Sequence, residues 1–264
     1  MMEGDRSGPP PLALTRRSFV GAAGASLLGG AAAAQAVAEV PNRATGRPEP
    51  RDLPPEPLPD EQRLGVAVVG LGKLAPSEID DALGVTRRAK LAALVSGNRD
   101  KARRVGAQYG VPEDALYSYD DFDRIAQDPR IQIVYIVLPN GLHREFTVRA
   151  FRAGKHVLCE KPLATSVEDC RAMIEAGRAA NRKLMTAYRC QFEPHNLTAM
   201  RMLRQRELGD LRIVSADIGR STDPSDPSDQ WRLDRALAGS GSLFDIGVYA
   251  LTAPPFLVYE EAVG

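Results

Sequence analysis

The sequence predicts an α/β protein, a Rossmann-type doubly wound parallel sheet followed by an incomplete α+β second domain, and three observations predict it. From Leu64 to about Tyr188 short apolar runs alternate with longer amphipathic ones, the pattern of strands joined by crossover helices. The first run, Val66-Ala67-Val68-Val69, is apolar throughout and mostly β-branched, as a strand buried on both faces should be. It ends in Gly70-Leu71-Gly72-Lys73-Leu74-Ala75-Pro76, whose GxGxxA spacing marks a strand-to-helix turn that binds a dinucleotide pyrophosphate. Gly70 permits the tight turn, Gly72 lets a pyrophosphate approach the backbone, Ala75 is small enough for close helix packing, and Pro76 suits a first helical position. Taken alone such a triplet is equally an ordinary tight turn; its place after the first strand favours the functional reading.

Taken in order, strands are predicted at residues 64–69, 90–95, 131–138, 156–159 and 183–186. Helices are predicted at 77–83, 100–109, 119–126, 142–153 and 167–180, with Gly110 and Gly154 at helix ends. Beyond Tyr188 the pattern predicts a helix at 194–206, a strand at 211–218, a polar loop at 221–229 leading to Gln230-Trp231-Arg232, and a helix from Ser242 to about Leu251. The domain expectation is therefore a Rossmann-type nucleotide-binding domain at 63–187 and the start of a second domain at 188–264.

Residues 1–38 read as an address. Thr15-Arg16-Arg17-Ser18-Phe19-Val20 places a twin arginine before an uncharged Gly/Ala-rich run, and small residues near Ala36 and Ala38 offer cleavage. This resembles a twin-arginine export signal, with Gly21 where a basic residue often follows, and predicts a periplasmic protein that meets the twin-arginine export machinery. A membrane anchor is disfavoured because the run lacks the roughly 20 strongly apolar residues a span needs. Residues 39–62 carry seven prolines among charged residues, so they predict an extended arm or linker.

The 264 residues suffice for a large core, and 34 basic side chains balance 34 acidic ones, which gives no reason to expect a nucleic-acid partner. Cys159, Cys170 and Cys190 are odd in number and without CxxC spacing, so neither a disulfide framework nor a metal site is expected.

Several residues could carry chemistry. After the second strand comes Ser96-Gly97-Asn98-Arg99-Asp100-Lys101, where an NAD-preferring fold places an acid for the ribose 2′-hydroxyl. A hydroxyl and two cations suit a 2′-phosphate, so the reading is NADP, with Asn98 also a helix cap. His143, in Leu138-Pro139-Asn140-Gly141-Leu142-His143, stands on the carboxyl edge of the sheet, equally suited to touch a cofactor or to cap a helix. Glu160-Lys161-Pro162 ends the next strand on that edge. Lys161 is placed to hydrogen-bond a substrate hydroxyl and to stabilise a neighbouring phenolate, and a structural Glu160–Lys161 pair is the plainer alternative. Asp245 and Tyr249, four apart, share one face if helical, and beside Lys161 they could take a proton from a sugar hydroxyl. From spacing alone they are as well read as ordinary helix residues.

Together these residues resemble the glucose-fructose oxidoreductase, inositol dehydrogenase and rhizopine catabolism family (Gfo/Idh/MocA). The likeness runs from about Leu64 to Tyr249 and rests on Val69-Gly70-Leu71-Gly72-Lys73, Leu94-Val95-Ser96-Gly97-Asn98, Tyr135-Ile136-Val137-Leu138-Pro139-Asn140, Gly154-Lys155-His156-Val157-Leu158-Cys159-Glu160-Lys161-Pro162 and Gly241-Ser242-Leu243-Phe244-Asp245-Ile246-Gly247-Val248-Tyr249. Tyr249 and Gln230-Trp231-Arg232-Leu233 point to the exported glucose-fructose oxidoreductase branch. The resemblance implies an NADP-dependent sugar oxidoreductase that oxidises sugar C1 with a tightly held cofactor, with Lys161, Asp245 and Tyr249 at the reaction centre. It implies cofactor contacts from Gly70, Leu71, Gly72, Lys73, Leu74, Ser96, Gly97, Lys101, Pro139, Asn140, His143, Glu160, Lys161, Arg189, Trp231 and Arg232. A cofactor that stays bound outside the cytoplasm must be recycled by paired substrates, which predicts ping-pong kinetics.

The family continues past the Tyr249 helix with a large sheet that walls the substrate site and forms the subunit interface. The tail from Thr252 drifts from that pattern, so a truncated product is expected, homo-oligomeric only if the second domain were complete. Two rival readings follow: a dinucleotide-binding fragment without turnover, and an exported sugar-binding protein without cofactor.

Overall fold

The computed structural model describes residues 41–42, 47–48 and 56–258. The segment read as an export signal and most of the proline-rich segment lie outside the described residues. Pro41–Asn42 and Arg47–Pro48 pair antiparallel. A 3₁₀ turn at Asp60–Gln62 then leads into the main sheet.

That sheet has six parallel strands: β1 (Leu64–Val69), β2 (Ala89–Val95), β3 (Leu116–Tyr117), β4 (Ile133–Ile136), β5 (His156–Glu160) and β6 (Leu184–Ala187). Their order is β3-β2-β1-β4-β5-β6. β1 is central because its side chains can be buried on both faces: Ala67, Val68 and Val69 are completely inaccessible to solvent. Its register pairs Val68 with Leu94 of β2 and with Tyr135 of β4. Each fully buried Val or Leu contributes about 1.5–3 kcal/mol of hydrophobic stabilisation, so this strand anchors the fold. The winding reverses between β1 and β4, which opens a crevice at the carboxyl ends of the strands, where ligands of such sheets sit.

The crossover segments follow the expected sequence of elements with three differences. A π-type turn at Ala75–Ile79 precedes α1 (Asp80–Val85), and α2 (Arg99–Tyr109) is capped by Asn98, whose Oδ1 accepts from Lys101 N at 2.9 Å, and closed by left-handed Gly110. The helix predicted at 119–126 is instead a 3₁₀ helix at Phe122–Gln127. Asp121 Oδ1 accepts from Ser118 N at 2.5 Å and from its hydroxyl at 2.8 Å, and this local bonding displaces a regular helical start. Phe122 and Ile125, three apart and fully buried, fit the three-residue period of the tighter helix. The two-residue β3 is too short to leave a periodic signal and was not predicted. α3 (His143–Arg152), α4 (Val167–Ala179) and α5 (Pro194–Arg204) lie where the pattern puts them, α4 capped by Ser166.

A further correction concerns residues 211–218, predicted as a strand. They form no ladder, and Ile213 is 85% exposed. Alternating side chains make a strand only against a neighbour, and no described strand lies beside this one. α6 (Arg235–Ala238), a π-type turn at Leu243–Gly247 and α7 (Val248–Val258) then return the chain to the carboxyl edge of the sheet. Gly141 is the contact point: a Cβ there would stand 2.2 Å from the Ala236 carbonyl oxygen of α6.

Candidate active site and dinucleotide turn

The turn after β1 is shaped by its glycines. Gly70 has φ of +98°, and a Cβ on it would meet the Val137 carbonyl oxygen at 2.3 Å, so only glycine fits. A Cβ on Gly72 would meet nothing within 4 Å, which leaves that backbone open to a ligand. Leu71 is buried and Leu74 packs on the core, so these two hold the turn from beneath. Two cations flank it. Lys101 Nζ donates to the Gly72 carbonyl at 3.4 Å, and Lys73 Nζ lies 2.5 Å from Asp226 Oδ2 and 3.7 Å from Asp229 Oδ1. Open backbone and two ammonium groups fit a pyrophosphate and a further phosphate.

The Ser96-Gly97 step lies next to this turn. Ser96 is buried with its hydroxyl accepting from Asn98 N at 3.1 Å, and Gly97 lies under the Tyr119 ring, where a Cβ would be 3.1 Å from Cε2. Of the two cations expected to serve a 2′-phosphate, Arg99 is turned away: it donates to the Leu116 carbonyl at 2.5 Å and to Glu113 at 2.8 Å. Lys101 alone remains beside the turn.

At the end of β5, a cis peptide joins Lys161 to Pro162. Glu160 is buried; its Oε1 accepts from the Tyr135 hydroxyl at 2.6 Å and its Oε2 from Lys161 N at 3.2 Å. The Lys161 side chain crosses to the second unit, donating to the Asp245 main-chain carbonyl and standing 3.5 Å from Asp245 Oδ1. Its ammonium also lies 5.1 Å from the centroid of the Tyr249 ring, which packs edge-on against Tyr188 at 6.4 Å. The structure thus brings Lys161, Asp245 and Tyr249 together. Asp245 sits in the wide π-type turn rather than on one regular helix with Tyr249, so the four-residue spacing works through a local bulge.

The electrostatics differ from expectation. Burial pushes the Lys161 ammonium below its ordinary range, opposed mainly by Asp245. The Tyr249 phenol is pushed up, first by burial and then by the Glu160 charge. The cation that hydrogen-bonds this phenol is Arg189, not Lys161, whose charge faces the ring. The sequence reading gave Lys161 the task of stabilising a phenolate; the geometry gives it another.

Other expected contacts fall elsewhere. His143 is fully buried, each ring nitrogen 2.8 Å from a backbone carbonyl, those of Pro162 and Leu138. Burial pushes its imidazole towards the neutral form, opposed by the two carbonyls, and its ring fills the space between the loop after β4 and the proline after Lys161. Asn140 is buried and donates to the Ala238 carbonyl at 3.0 Å, fastening α6 to the sheet edge, while the Pro139 carbonyl accepts from Leu142 N at 2.9 Å. His143, Asn140 and Pro139 therefore shape the crevice from behind. The Arg232 guanidinium lies 4.4 Å from the Trp231 ring centroid and donates to Asp245 Oδ2 at 2.9 Å. Sequence reasoning missed Arg220, Asp226 and Asp229, which gather here. The signal for the two aspartates was the repeat Asp223-Pro224-Ser225-Asp226-Pro227-Ser228-Asp229, in which Asp223 and Asp226 each accept from the amide two residues on.

Comparison with known proteins agrees with this architecture. The family model described as an oxidoreductase family with NAD-binding Rossmann fold matches residues 64–188, and the model for the GFO/IDH/MocA C-terminal domain matches residues 196–263. The second match extends beyond Tyr249 through the tail that the sequence reading took to drift. A D-xylose 1-dehydrogenase [NADP(+)] of Haloarcula marismortui is 33% identical over 202 residues, covering 75% of this chain and 55% of the relative. The crystal structure of an aldose-aldose oxidoreductase from Caulobacter crescentus, complexed with glycerol, is 50% identical with a TM-score of 0.69 over 74% of this chain and 57% of that one. An inositol dehydrogenase homolog from Azotobacter vinelandii, complexed with NAD+, is 30% identical with a TM-score of 0.64, over 75% of this chain and 54% of that one. The chain spans about half the length of the curated relatives it matches. With its six-stranded sheet, its glycine turn and both family matches, the chain belongs to the Gfo/Idh/MocA oxidoreductase family.

Proposed function

We propose that this chain carries the dinucleotide site and reaction centre of an exported, NADP-dependent sugar oxidoreductase acting at sugar C1. The observation that carries the reading is the convergence of Lys161, Asp245 and Tyr249 at the carboxyl edge of the sheet that also holds the glycine turn. The relatives named for D-xylose and aldose chemistry support a sugar substrate. NADP rather than NAD is supported by Lys101 beside the turn and by Ser96 at the end of β2, where an acid would bind an unphosphorylated ribose.

When bound, the nicotinamide supplies the hydride acceptor; the protein's own groups manage the proton and the alignment. Gly72 and the amides beginning the crossover receive the phosphates, with Lys73 and Lys101 as counter-charges. Lys161, its ammonium destabilised by burial, is suited to take the proton of the C1 hydroxyl, and the Tyr249 phenol, kept protonated by burial, is suited to donate a hydrogen bond to the same oxygen. The Asp245 carboxylate holds Lys161 in place. The decisive experiment is spectroscopic: purified protein should contain a nicotinamide that is reduced by glucose and reoxidised by fructose. A bound dinucleotide indifferent to both sugars would support the second reading, a binding unit without turnover, which the exposed apolar side chains of Leu211, Ile213 and Ile218 favour. The twin-arginine segment supports export to the periplasm, and replacing Arg16 and Arg17 by Lys should hold the protein in the cytoplasm.

A further inference from the structure

The polar loop ends on Asp229, a carboxylate only 6% exposed that meets three cations. Arg232 Nη1 donates to its Oδ1 at 2.6 Å, Arg220 Nη2 lies at 3.4 Å and Lys73 Nζ at 3.7 Å. The same two guanidiniums also reach Asp245: Arg232 Nε donates to Oδ2 at 2.9 Å, and Arg220 Nη1 is 3.7 Å from that oxygen. Two carboxylates and two guanidiniums close a ring of alternating charge. Because both arginines take Oδ2 of Asp245, Oδ1 is left for Lys161, 3.5 Å away. A guanidinium offers donors in a rigid planar fork, so each arginine can hold both carboxylates in one orientation. Without Asp229, both forks would turn on Asp245 alone, and one negative charge would leave a partly buried cluster.

We propose that Asp229 is a positioning residue, acting through Arg232 and Arg220 to hold the Asp245 carboxylate in register with Lys161. The proposal rests on Lys161 and Asp245 forming the reaction centre, but its test requires no turnover. The groups facing Lys161 are Asp245, Glu160, Arg232 and the Tyr249 ring. A ring that sets Asp245 should therefore be felt at Lys161 with opposite signs when a negative or a positive member is removed.

The full chain, its lysines reductively methylated with a carbon-13 label, is titrated by NMR, and the Lys161 signal is assigned by its loss in Lys161→Met. Asp229→Asn should lower the Lys161 midpoint by about half a pH unit, Asp229→Glu should restore it, and Arg220→Gln should raise it. Midpoints that stay fixed, or that move together in both variants, overturn the proposal. Should Asp229→Asn fail to fold, Arg220→Gln, at a side chain 37% exposed, decides alone, an unmoved or lowered midpoint overturning it. Sugar-dependent reduction of the nicotinamide is followed on the same proteins before methylation. Opposite shifts without turnover defeat only the oxidoreductase reading, and turnover without shifts defeats only the positioning role.

Discussion

The ammonium of Lys161 lies 5.1 Å from the centroid of the Tyr249 ring, over its face rather than beside its hydroxyl, while Asp245 accepts the same ammonium from the other unit. A lysine so placed is held by two groups of the second unit that favour its charge, while its burial, the larger effect, disfavours it.

Replacing Lys161 by Met should lower sugar-dependent nicotinamide reduction by roughly 10²–10⁴-fold, the range of a lost acid–base group, while dinucleotide affinity stays within a few-fold. Steady-state rates and fluorescence titration on one preparation check both halves.

The rate should rise with pH through the Lys161 midpoint. Burial disfavours the charged ammonium, so the free amine forms below the ordinary lysine range. A pH profile of kcat/KM in wild type should show a basic limb, and Lys161→Arg should lose it.

Asp80, at the start of α1, is fully buried, and neither of its carboxyl oxygens has a hydrogen-bond partner. Burial, with Asp81 adding, raises its pKa to about 6. A carboxyl whose folded pKa lies above its unfolded value costs no stability while protonated in both states, below about pH 4. It costs progressively more as pH rises to the folded pKa, after which the penalty is constant. Asp80→Leu should therefore stabilise the fold by roughly 3 kcal/mol at pH 7 and by much less at pH 4 on this account, measured by urea denaturation.

The two glycines of the turn should respond differently. A Gly70→Ala side chain would collide with the Val137 carbonyl at positive φ and should lower stability by a few kcal/mol, on the order of known strain effects. Gly72 has open space, so Gly72→Asp should leave the melting temperature nearly unchanged while its charge repels the phosphates.

The sheet was legible because β1 and the carboxyl half of β2 are buried apolar runs, and because Asn98, Ser166 and Gly110 mark helix ends by chemistry local in sequence. Residues 211–218 misled because alternation reports a face, while a strand needs a neighbour that the sequence pattern of the segment itself does not contain. Lys161 and Asp245 could be paired by resemblance. Their setting was hidden, because contacts such as Lys73 to Asp226 join residues 153 positions apart and leave no local pattern. His143, read equally as a cofactor contact or a helix cap, is buried between two backbone carbonyls, since a lone histidine at a helix start carries no sign of which way its ring will face.

The claim on which the rest depends is that the Gly70–Lys73 turn receives a dinucleotide within reach of Lys161. The most direct test is to denature the purified, full chain and assay the released nicotinamide dinucleotide, then to titrate emptied, refolded wild type and Gly72→Asp with NADP by intrinsic fluorescence. The account predicts stoichiometric release or saturable uptake by wild type and neither by the variant. Wild type that is folded, empty and indifferent to added NADP and NAD would contradict it.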